Sequence, residues 1–334
     1  MIRIISMLLA LQATVLLAAE KRESIFDRIV NIEDELILDV PNLPPLCDKL
    51  DLQRQKINIG PVNLYVEQEG QGIPIVLLHG GPGGTHHGFH PFFSRAKKFA
   101  KIIYYDQRGT GQSDYIPDNG YTVSQAADDL DLLRKKLGIE KWVILGHSYG
   151  GFLAQVYMLK YPQNILGVIL VSAETDQHLT LDRRRLTDFL SEQELVKLRE
   201  IASNNSLSME QKAFNMFLNG YWKAQHFYKF TLSENIRFSK YYWKQDTDFN
   251  RVMSENMFTY HLVGQFNNST IPTLMIEGLW DLTWNTDKPQ KFHDYIPNAT
   301  LVVFENSGHQ SFVDEPEKFF SLLQDFVSNI QQEQ

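Results

Sequence analysis

The sequence places a serine between two glycines, in the segment Gly146-His147-Ser148-Tyr149-Gly150. An apolar stretch, 142–145, precedes it, and apolar side chains follow at helical spacing. Gly-x-Ser-x-Gly between a strand and a helix is typical of a nucleophile elbow, a tight turn that exposes the serine hydroxyl above a sheet. The pattern alone is weak evidence, because glycine is common and an ordinary loop serine is the simpler interpretation.

Two later residues supply what a serine nucleophile needs, a base that takes its proton and an acid that orients the base. Asp281 follows the predicted strand 273–277, and His309 follows the predicted strand 301–304. Of the ten histidines, His309 alone follows both that acid and a strand end, whereas His293 lies on a predicted helix. The chain order therefore predicts a Ser-Asp-His triad, with an ordinary loop aspartate as the alternative for Asp281.

The loop 79–84, with the sequence HGGPGG, follows the predicted strand 75–78. An acyl oxyanion needs two backbone N–H donors, and glycines let the backbone approach a substrate closely. We predict that Tyr149, directly after the nucleophile, supplies one N–H and that Gly81 supplies the other. A phosphate-binding loop is disfavoured, because no Gly-Lys-Ser/Thr follows and the spacing is not Gly-x-Gly-x-x-Gly.

The elements around these residues predict an α/β fold. Continuous apolar strands alternate with helices up to residue 171, which is typical of a mostly parallel central sheet with helices on both faces. Residues 57–66 predict an antiparallel edge pair. From 174 onwards the sequence is helical and aromatic-rich, and strands resume at 273. We predict an N-terminal arm at 20–55, a core at 56–173 and 269–334, and an inserted helical cap at 174–268.

The first 19 residues predict a secretory signal peptide. Arg3 precedes an apolar run from Ile4 to Leu17, and the small residues Ala18 and Ala19 come before a charged segment. The alternative is an uncleaved anchor, but the run is shorter than the roughly 20 residues that a spanning helix needs. We therefore expect export, to a periplasm or beyond the cell, with no membrane span after cleavage.

Composition and net charge limit the classes of partner that the protein is expected to bind. The net charge is −8 and the sequence has no basic cluster, which argues against nucleic acid as a partner. Cys47 is the only cysteine, so no internal disulfide forms. Hydrophobic residues make up 43% of the chain, as is typical of a globular enzyme that relies on its core for stability. The expected partner is a small peptide or acyl substrate.

These motifs together resemble the proline iminopeptidase family of α/β-hydrolases. The segment HGGPG at 79–83 matches the oxyanion-loop motif of the family, and DQRGTGQS at 106–113 matches its Asp-Gln-Arg-Gly-x-Gly-x-Ser segment. The tyrosine after Ser148 is similar to the branch that contains the tricorn-interacting aminopeptidases. The resemblance covers about residues 56–330, weakly within the cap. It implies release of an N-terminal residue, often proline, from short peptides through an acyl-enzyme, without metal or cofactor.

An aminopeptidase must recognise a free ammonium group, and carboxylates near the acyl site do this well. In the family the cap supplies a glutamate, and Glu255 is the residue that we align with it. Glu174, just after the predicted strand 168–171, is a second candidate by position. The sequence also departs from the family: His147 and Tyr149 flank the serine in place of glycine and tryptophan, and Leu282 stands where some aminopeptidases have a second glutamate.

Three functional hypotheses remain open. The first is an exported serine aminopeptidase of the proline iminopeptidase type. The second is an esterase or amidase that uses the same triad on non-peptide acyl substrates, and the third is a catalytically inactive binding protein. The intact triad residues argue against the third. For either enzyme, we expect activity to fall on the acid side as His309 protonates near pH 6.5, the ordinary pKa of histidine.

Overall fold

The computed structural model describes residues 36–116, 121–176, 185–226, 231–246, 248–282 and 288–332. It divides the chain into two units, Met1–Val40 and Pro41–Gln334. The predicted signal peptide at 1–19 lies outside the described residues, and the described end of the first unit, 36–40, forms neither helix nor strand. No helix in the described part of the chain has the length and apolar character needed to cross a membrane. The fold below is that of the second unit.

Eight strands of the second unit form one sheet in the order β1-β2-β4-β3-β5-β6-β7-β8. The strands are β1 (Gln53–Asn58), β2 (Asn63–Glu69), β3 (Pro74–Leu78), β4 (Lys101–Tyr105), β5 (Trp142–His147), β6 (Ile165–Val171), β7 (Thr273–Gly278) and β8 (Ala299–Phe304). The edge strand β1 and its neighbour β2 pair antiparallel, β2 and β4 do the same, and the remaining pairs are parallel. The predicted α/β fold and its antiparallel edge pair are confirmed.

Both faces of the sheet are covered, which explains why its central strands are apolar without interruption. Along β3, Ile75 and Leu77 belong to one hydrophobic cluster, and Val76 and Leu78 belong to another on the opposite face. This alternation follows from the two-residue period of a strand. The two clusters fix the sheet rigidly between helices, and its carboxyl ends carry the loops that contain the predicted triad.

The described helices occupy the two faces of the sheet and the segment between β6 and β7. They are α1 (Val123–Lys136), α2 (Tyr149–Lys160), α3 (Glu192–Ser203), α4 (Met209–Leu218), α5 (Leu232–Arg237), α6 (Phe249–Met257), α7 (Lys288–Tyr295), α8 (Ser311–Asp314) and α9 (Pro316–Gln332). Helices α1 and α2 cover one face, and α9 with the 3-10 helix Phe92–Lys98 covers the other. Among the described residues between β6 and β7, helices α3 to α6 form and no strand does, apart from an isolated bridge at Gln245.

In the second unit, residues 41–52 before β1 form an arm with one short 3-10 helix, Leu46–Lys49. Strand β1 begins at Gln53, three residues inside the segment that the sequence assigned to the arm, because its first four residues are all polar and exposed and show no alternation. The Tyr241 hydroxyl donates to the Leu43 carbonyl at 2.6 Å, and Arg237 donates to the Pro44 carbonyl at 3.1 Å. The arm therefore lies against the helical segment that precedes α6.

Candidate active site

Ser148 forms a sharp turn between β5 and α2. Its φ is 55° and its ψ is −124°, a backbone conformation that a residue with a side chain rarely adopts. The Ser148 amide donates to the Val171 carbonyl at 3.0 Å, and the Ser148 carbonyl accepts from the Glu174 amide at 3.0 Å. A Cβ on Gly150 would lie 2.0 Å from the Leu78 carbonyl oxygen, so only glycine fits there. The geometry is that of a nucleophile elbow.

Asp281 and His309 form a hydrogen-bonded pair. Asp281 follows β7 and His309 follows β8, and the distance between His309 Nδ1 and Asp281 Oδ2 is 2.7 Å. Because the buried carboxylate accepts, Nδ1 carries the proton and Nε2 remains as the basic nitrogen of the neutral ring. Ser148, Asp281 and His309 line one cavity. The structure therefore brings the three predicted triad residues together.

Two opposing effects set the pKa of His309. Burial lowers it, but the charge and the hydrogen bond of Asp281 raise it, and the carboxylates of Glu174 and Glu277 add to this. The net effect raises the pKa of His309 above 6.5. The sequence alone placed the acidic loss of activity near pH 6.5, and the structure moves that expectation to higher pH.

Contacts from three directions fix the position of His309. Its amide donates to the carbonyl of Gln225, in the helical segment, at 2.7 Å. The adjacent amide of Gly308 donates to Asp314 Oδ2 at 2.8 Å. His147 donates from Nε2 to the His309 carbonyl at 2.9 Å, and burial lowers the pKa of His147 to about 3, which keeps it neutral. Sequence reasoning noted His147 only as a departure from the family; its unusual place inside the elbow was the available signal.

The two predicted oxyanion donors, Tyr149 and Gly81, come from different elements near Ser148. Tyr149 is the first residue of α2, where N–H groups have no partner within the helix. Gly81 lines the same cavity as Ser148. Each residue is thus available to a substrate carbonyl by its position, and the assignment of the two N–H groups remains a prediction.

The segment that begins at Asp106 braces the oxyanion loop at both ends. The Gln107 amide donates to His79 Nε2 at 3.1 Å, and the Gln107 side chain donates to the His79 carbonyl at 3.2 Å. Beyond the glycines, Asp106 Oδ1 accepts from the amide of His86 at 2.9 Å and from its Nδ1 at 2.7 Å. The two motifs that carried the family resemblance therefore act as one structural unit.

Asp106 and His86 also belong to a buried cluster of ionisable side chains that includes Glu67 and His90. Burial lowers the pKa of His86, but the charge and hydrogen bond of Asp106 outweigh it and raise the pKa to about 10. Burial raises the pKa of Glu67, but the hydrogen bond from His90 and the charge of His86 outweigh it and lower the pKa to about 2. His86 is therefore an imidazolium at neutral pH, 3.7 Å from the Glu67 carboxylate.

Two groups of described residues bring potential metal ligands together. They are Cys47 with His86 and His87, and Glu67 with His86 and His90; the ligand atoms of each group lie within 4.8 Å of one another. Both groups include His86, whose Nδ1 already bonds to Asp106 Oδ1 at 2.7 Å. His90 and Arg54 also hold the two oxygens of Glu67 at 2.8 and 3.0 Å. The residues fit a hydrogen-bonded charge cluster better than a metal centre.

The cavity above Ser148 has a volume of about 600 Å³. The lining residues that come from the helical segment between β6 and β7 are mostly apolar or aromatic. The apolar and aromatic ones are Ala202, Met209, Ala213, Met216, Phe217, Tyr221, Phe238, Tyr242 and Trp243. A cavity of this size takes a whole small ligand rather than a single side chain, and its walls favour apolar substrate groups.

The two candidate amine ligands differ in position. Glu174 lines the cavity, and its amide is bonded to the Ser148 carbonyl. Glu255 does not line it: it lies on α6 with 65% of its side chain exposed, and Arg251 donates to both its oxygens at 3.1 Å. The structure therefore does not bring Glu255 into the cavity that contains Ser148. Helix α6 buries Phe249, Met253 and Met257, which turns Glu255 towards solvent.

Comparison with known proteins places this site in a family. Residues 73–316 match the family model for the alpha/beta hydrolase fold. The chain is 30% identical to a proline iminopeptidase of Saccharolobus solfataricus over 286 residues, which cover 80% of this chain and 90% of that protein. It is also 30% identical to a proline iminopeptidase of Lactobacillus helveticus over 277 residues, which cover 78% and 92%.

The chain belongs to the proline iminopeptidase family of α/β-hydrolases. Among solved structures, an esterase from Exiguobacterium antarcticum matches with a TM-score of 0.64 at 24% identity, over 80% of this chain and 96% of that one. At that identity the match concerns the fold alone. Membership in the proline iminopeptidase family makes this protein a hydrolase.

Proposed function

We propose that this protein is an exported serine aminopeptidase that releases an N-terminal apolar residue, such as proline, from short peptides. The observation that carries the proposal is the position of Glu174, a carboxylate in the same cavity as Ser148 and the Asp281–His309 pair. The apolar pattern of residues 1–19 supports export.

In the acylation step, Ser148 Oγ attacks the scissile carbonyl carbon while His309 Nε2 accepts the hydroxyl proton. Asp281 accepts the hydrogen bond from His309 Nδ1 and stabilises the imidazolium that forms. The N–H groups of Tyr149 and Gly81 donate to the developing oxyanion. When the C–N bond breaks, His309 returns its proton to the leaving amine, and the released N-terminal residue remains as an ester on Ser148.

In the deacylation step, a water molecule attacks the ester carbonyl and gives its proton to His309 Nε2. The tetrahedral intermediate collapses, the bond to Ser148 Oγ breaks, and His309 returns the proton to Ser148. The free amino acid leaves. No other proton donor is needed, because one base serves both steps in opposite directions.

Glu174 gives the site its selectivity for a free N-terminus. In an aminopeptidase substrate the ammonium group is attached to the carbon next to the scissile carbonyl, so its anchor must lie close to the nucleophile. Glu174 meets this condition, since its amide is bonded to the Ser148 carbonyl at 3.0 Å. A charge-assisted hydrogen bond there favours the ammonium form over a blocked, neutral amine.

The test is hydrolysis of proline arylamide, its N-acetylated form and a simple aryl ester by the purified protein. We expect cleavage of the free-amine amide and loss of turnover in Ser148→Ala, with an unchanged unfolding temperature. In Glu174→Gln, we expect kcat/KM for the free-amine amide to fall by about tenfold or more, while the aryl ester is affected much less.

An esterase or amidase for non-peptide acyl substrates is the second candidate. One observation favours it: Glu255 lies outside the cavity and Leu282 lines it, so Glu174 is the only carboxylate besides Asp281 among the described residues of its wall. Comparable cleavage of the acetylated amide, or cleavage of the ester alone, would support this candidate and rule out the amine anchor.

A further inference from the structure

The described part of the cavity wall that comes from the helical segment between β6 and β7 contains one cation, Lys212. Helix α4 faces the cavity with Met209, Lys212, Ala213, Met216 and Phe217, which follow the spacing of a single helix face. Four of these five side chains are apolar. Among the described residues that line the cavity, Lys212 is the one lysine or arginine.

The charge of Lys212 is not neutralised within the described part of the chain. Its Nζ donates to the Ala202 carbonyl, in the last turn of α3, at 2.8 Å and forms no ion pair with any described residue. Two lysines nearby behave differently: Lys223 pairs with Glu194 at 2.5 Å and Lys240 pairs with Glu210 at 3.0 Å. Capping the carboxyl end of α3 accounts for one of the three ammonium donors of Lys212 and leaves two for a ligand.

We propose that Lys212 binds the C-terminal carboxylate of short peptide substrates. The inference rests on the proposed aminopeptidase function. Glu174, which follows β6, and Lys212, on α4, line the same cavity, and their opposite charges match those of the two ends of a peptide zwitterion. The apolar side chains that line the cavity with them contact the body of the peptide. The preferred substrate is then a peptide short enough to reach both ends of the cavity, with a free carboxylate.

The experiment compares peptides that differ only in their C-terminal charge. Pro-Gly, Pro-Gly-Gly and Pro-Gly-Gly-Gly are each assayed as the free acid and as the amide, with proline arylamide as a substrate that has no carboxylate. The variants are Lys212→Met, Lys212→Arg and, as the matched control, Lys223→Met. Binding of the same peptides to Ser148→Ala, measured by calorimetry, gives a second readout without turnover.

For at least one peptide length, we expect the wild type to prefer the acid over the amide by about tenfold or more in kcat/KM. Lys212→Met should abolish this preference and leave proline arylamide turnover within about twofold, whereas Lys212→Arg and Lys223→Met should keep the preference. A purely structural role of Lys212 would lower activity on acid and amide by the same factor.

Two failures are distinguishable. Equal rates for acid and amide in the wild type, with normal turnover of proline arylamide, would overturn the role of Lys212 and leave the aminopeptidase proposal intact. Absence of turnover with every free-amine substrate, and of binding to Ser148→Ala, would overturn both.

Discussion

The three side chains of the proposed triad are positioned by their backbone and by their neighbours. Ser148 is in a strained turn, and the base that faces the same cavity is oriented by a carboxylate that is 1% exposed. His309 is bonded through its ring to Asp281 and through its backbone to His147 and Gln225. A base fixed at both its ring and its backbone loses little freedom when it takes the serine proton.

The first prediction concerns the pH profile. Because the net effect of burial and of the carboxylates raises the pKa of His309, we expect kcat/KM to fall with a midpoint above pH 6.5 as the solution is acidified. Glu174→Gln removes one of the anions that favour the imidazolium, so the midpoint should move to lower pH. Profiles of kcat/KM from pH 5 to 9 measure this.

The matched control for that variant is Glu255→Gln. Glu255 is the same residue type, but it is 65% exposed and paired with Arg251 outside the cavity. Its profile should coincide with that of the wild type. A wild-type midpoint at or below pH 6.5, or an equal displacement in the two variants, would contradict the assignment of Glu174 to the environment of His309.

At the scale of elements, the oxyanion loop depends on its neighbour in the sheet. Strand β4 pairs with β3, so the loops that follow the two strands lie side by side at the carboxyl edge of the sheet. Asp106 and Gln107 then bond to His86 and His79, on either side of the glycines. Four of the six residues of the loop are glycines, which restrain the backbone little, and the contacts from Asp106 and Gln107 supply rigidity.

We predict that Glu67→Gln destabilises the fold in a pH-dependent way. Burial and its partners lower the pKa of Glu67 to about 2, so its contribution is present above pH 4.5 and is lost as the pH falls towards 2. The free energy of unfolding in urea should drop by ~3 kcal/mol at pH 6, where His86 is also fully charged. The difference from the wild type should shrink at pH 3.

The control for this variant is Glu317→Gln. The Glu317 side chain is 89% exposed and pairs with Arg95 at the surface, where ion pairs contribute little. Its free energy of unfolding should stay close to that of the wild type at both pH values. If Glu67→Gln behaved in the same way, the buried cluster would not stabilise the fold.

The sheet and the triad could be predicted from the sequence because each depends on local patterns. Apolar runs marked the strands, and the order of Ser148, Asp281 and His309 after strand ends placed them at one edge. Alignment to a family motif pointed to Glu255, whereas the helix period indicates that its side chain faces away from the buried side of α6. Met253 and Met257 are buried, and the position halfway between them points the opposite way.

Contacts between segments that are distant along the chain could not be predicted from the sequence. Nothing local indicates that Gln107 bonds to His79, or that the His309 amide meets the carbonyl of Gln225. The sequence did not indicate a role for the charge of Lys212, since a lysine on an amphipathic helix is usually solvated. Only the structure shows that Lys212 and its neighbours on the same helix face line the cavity that contains Ser148.

At the scale of the whole second unit, the helical segment between β6 and β7 contacts the core and the arm. It reaches the arm through Tyr241 and Arg237, and it reaches the base through the Gln225 carbonyl. The segment therefore both closes the substrate cavity and supports the position of His309.

A substitution at the contact tests this dependence. A Cβ on Gly308 would lie 2.6 Å from the Gln225 carbonyl oxygen, so Gly308→Ala forces the two segments apart. A displacement of the base by about 1 Å costs about a hundredfold in rate, and we expect a loss of kcat of that order. Steady-state kinetics on proline arylamide measures it, with circular dichroism to show that the fold persists. Full activity in Gly308→Ala would mean that the contact is not needed.

The same backbone contact has a consequence for protein engineering. A chimaera that takes the segment between β6 and β7 from another hydrolase would lose the Gln225 carbonyl, which supports His309. Turnover would therefore change together with selectivity. Side-chain libraries at Met216 and Phe217 leave that carbonyl untouched. New substrates are therefore best sought by side-chain substitutions within the existing insert. Replacing the whole insert would also change the backbone contact that supports His309.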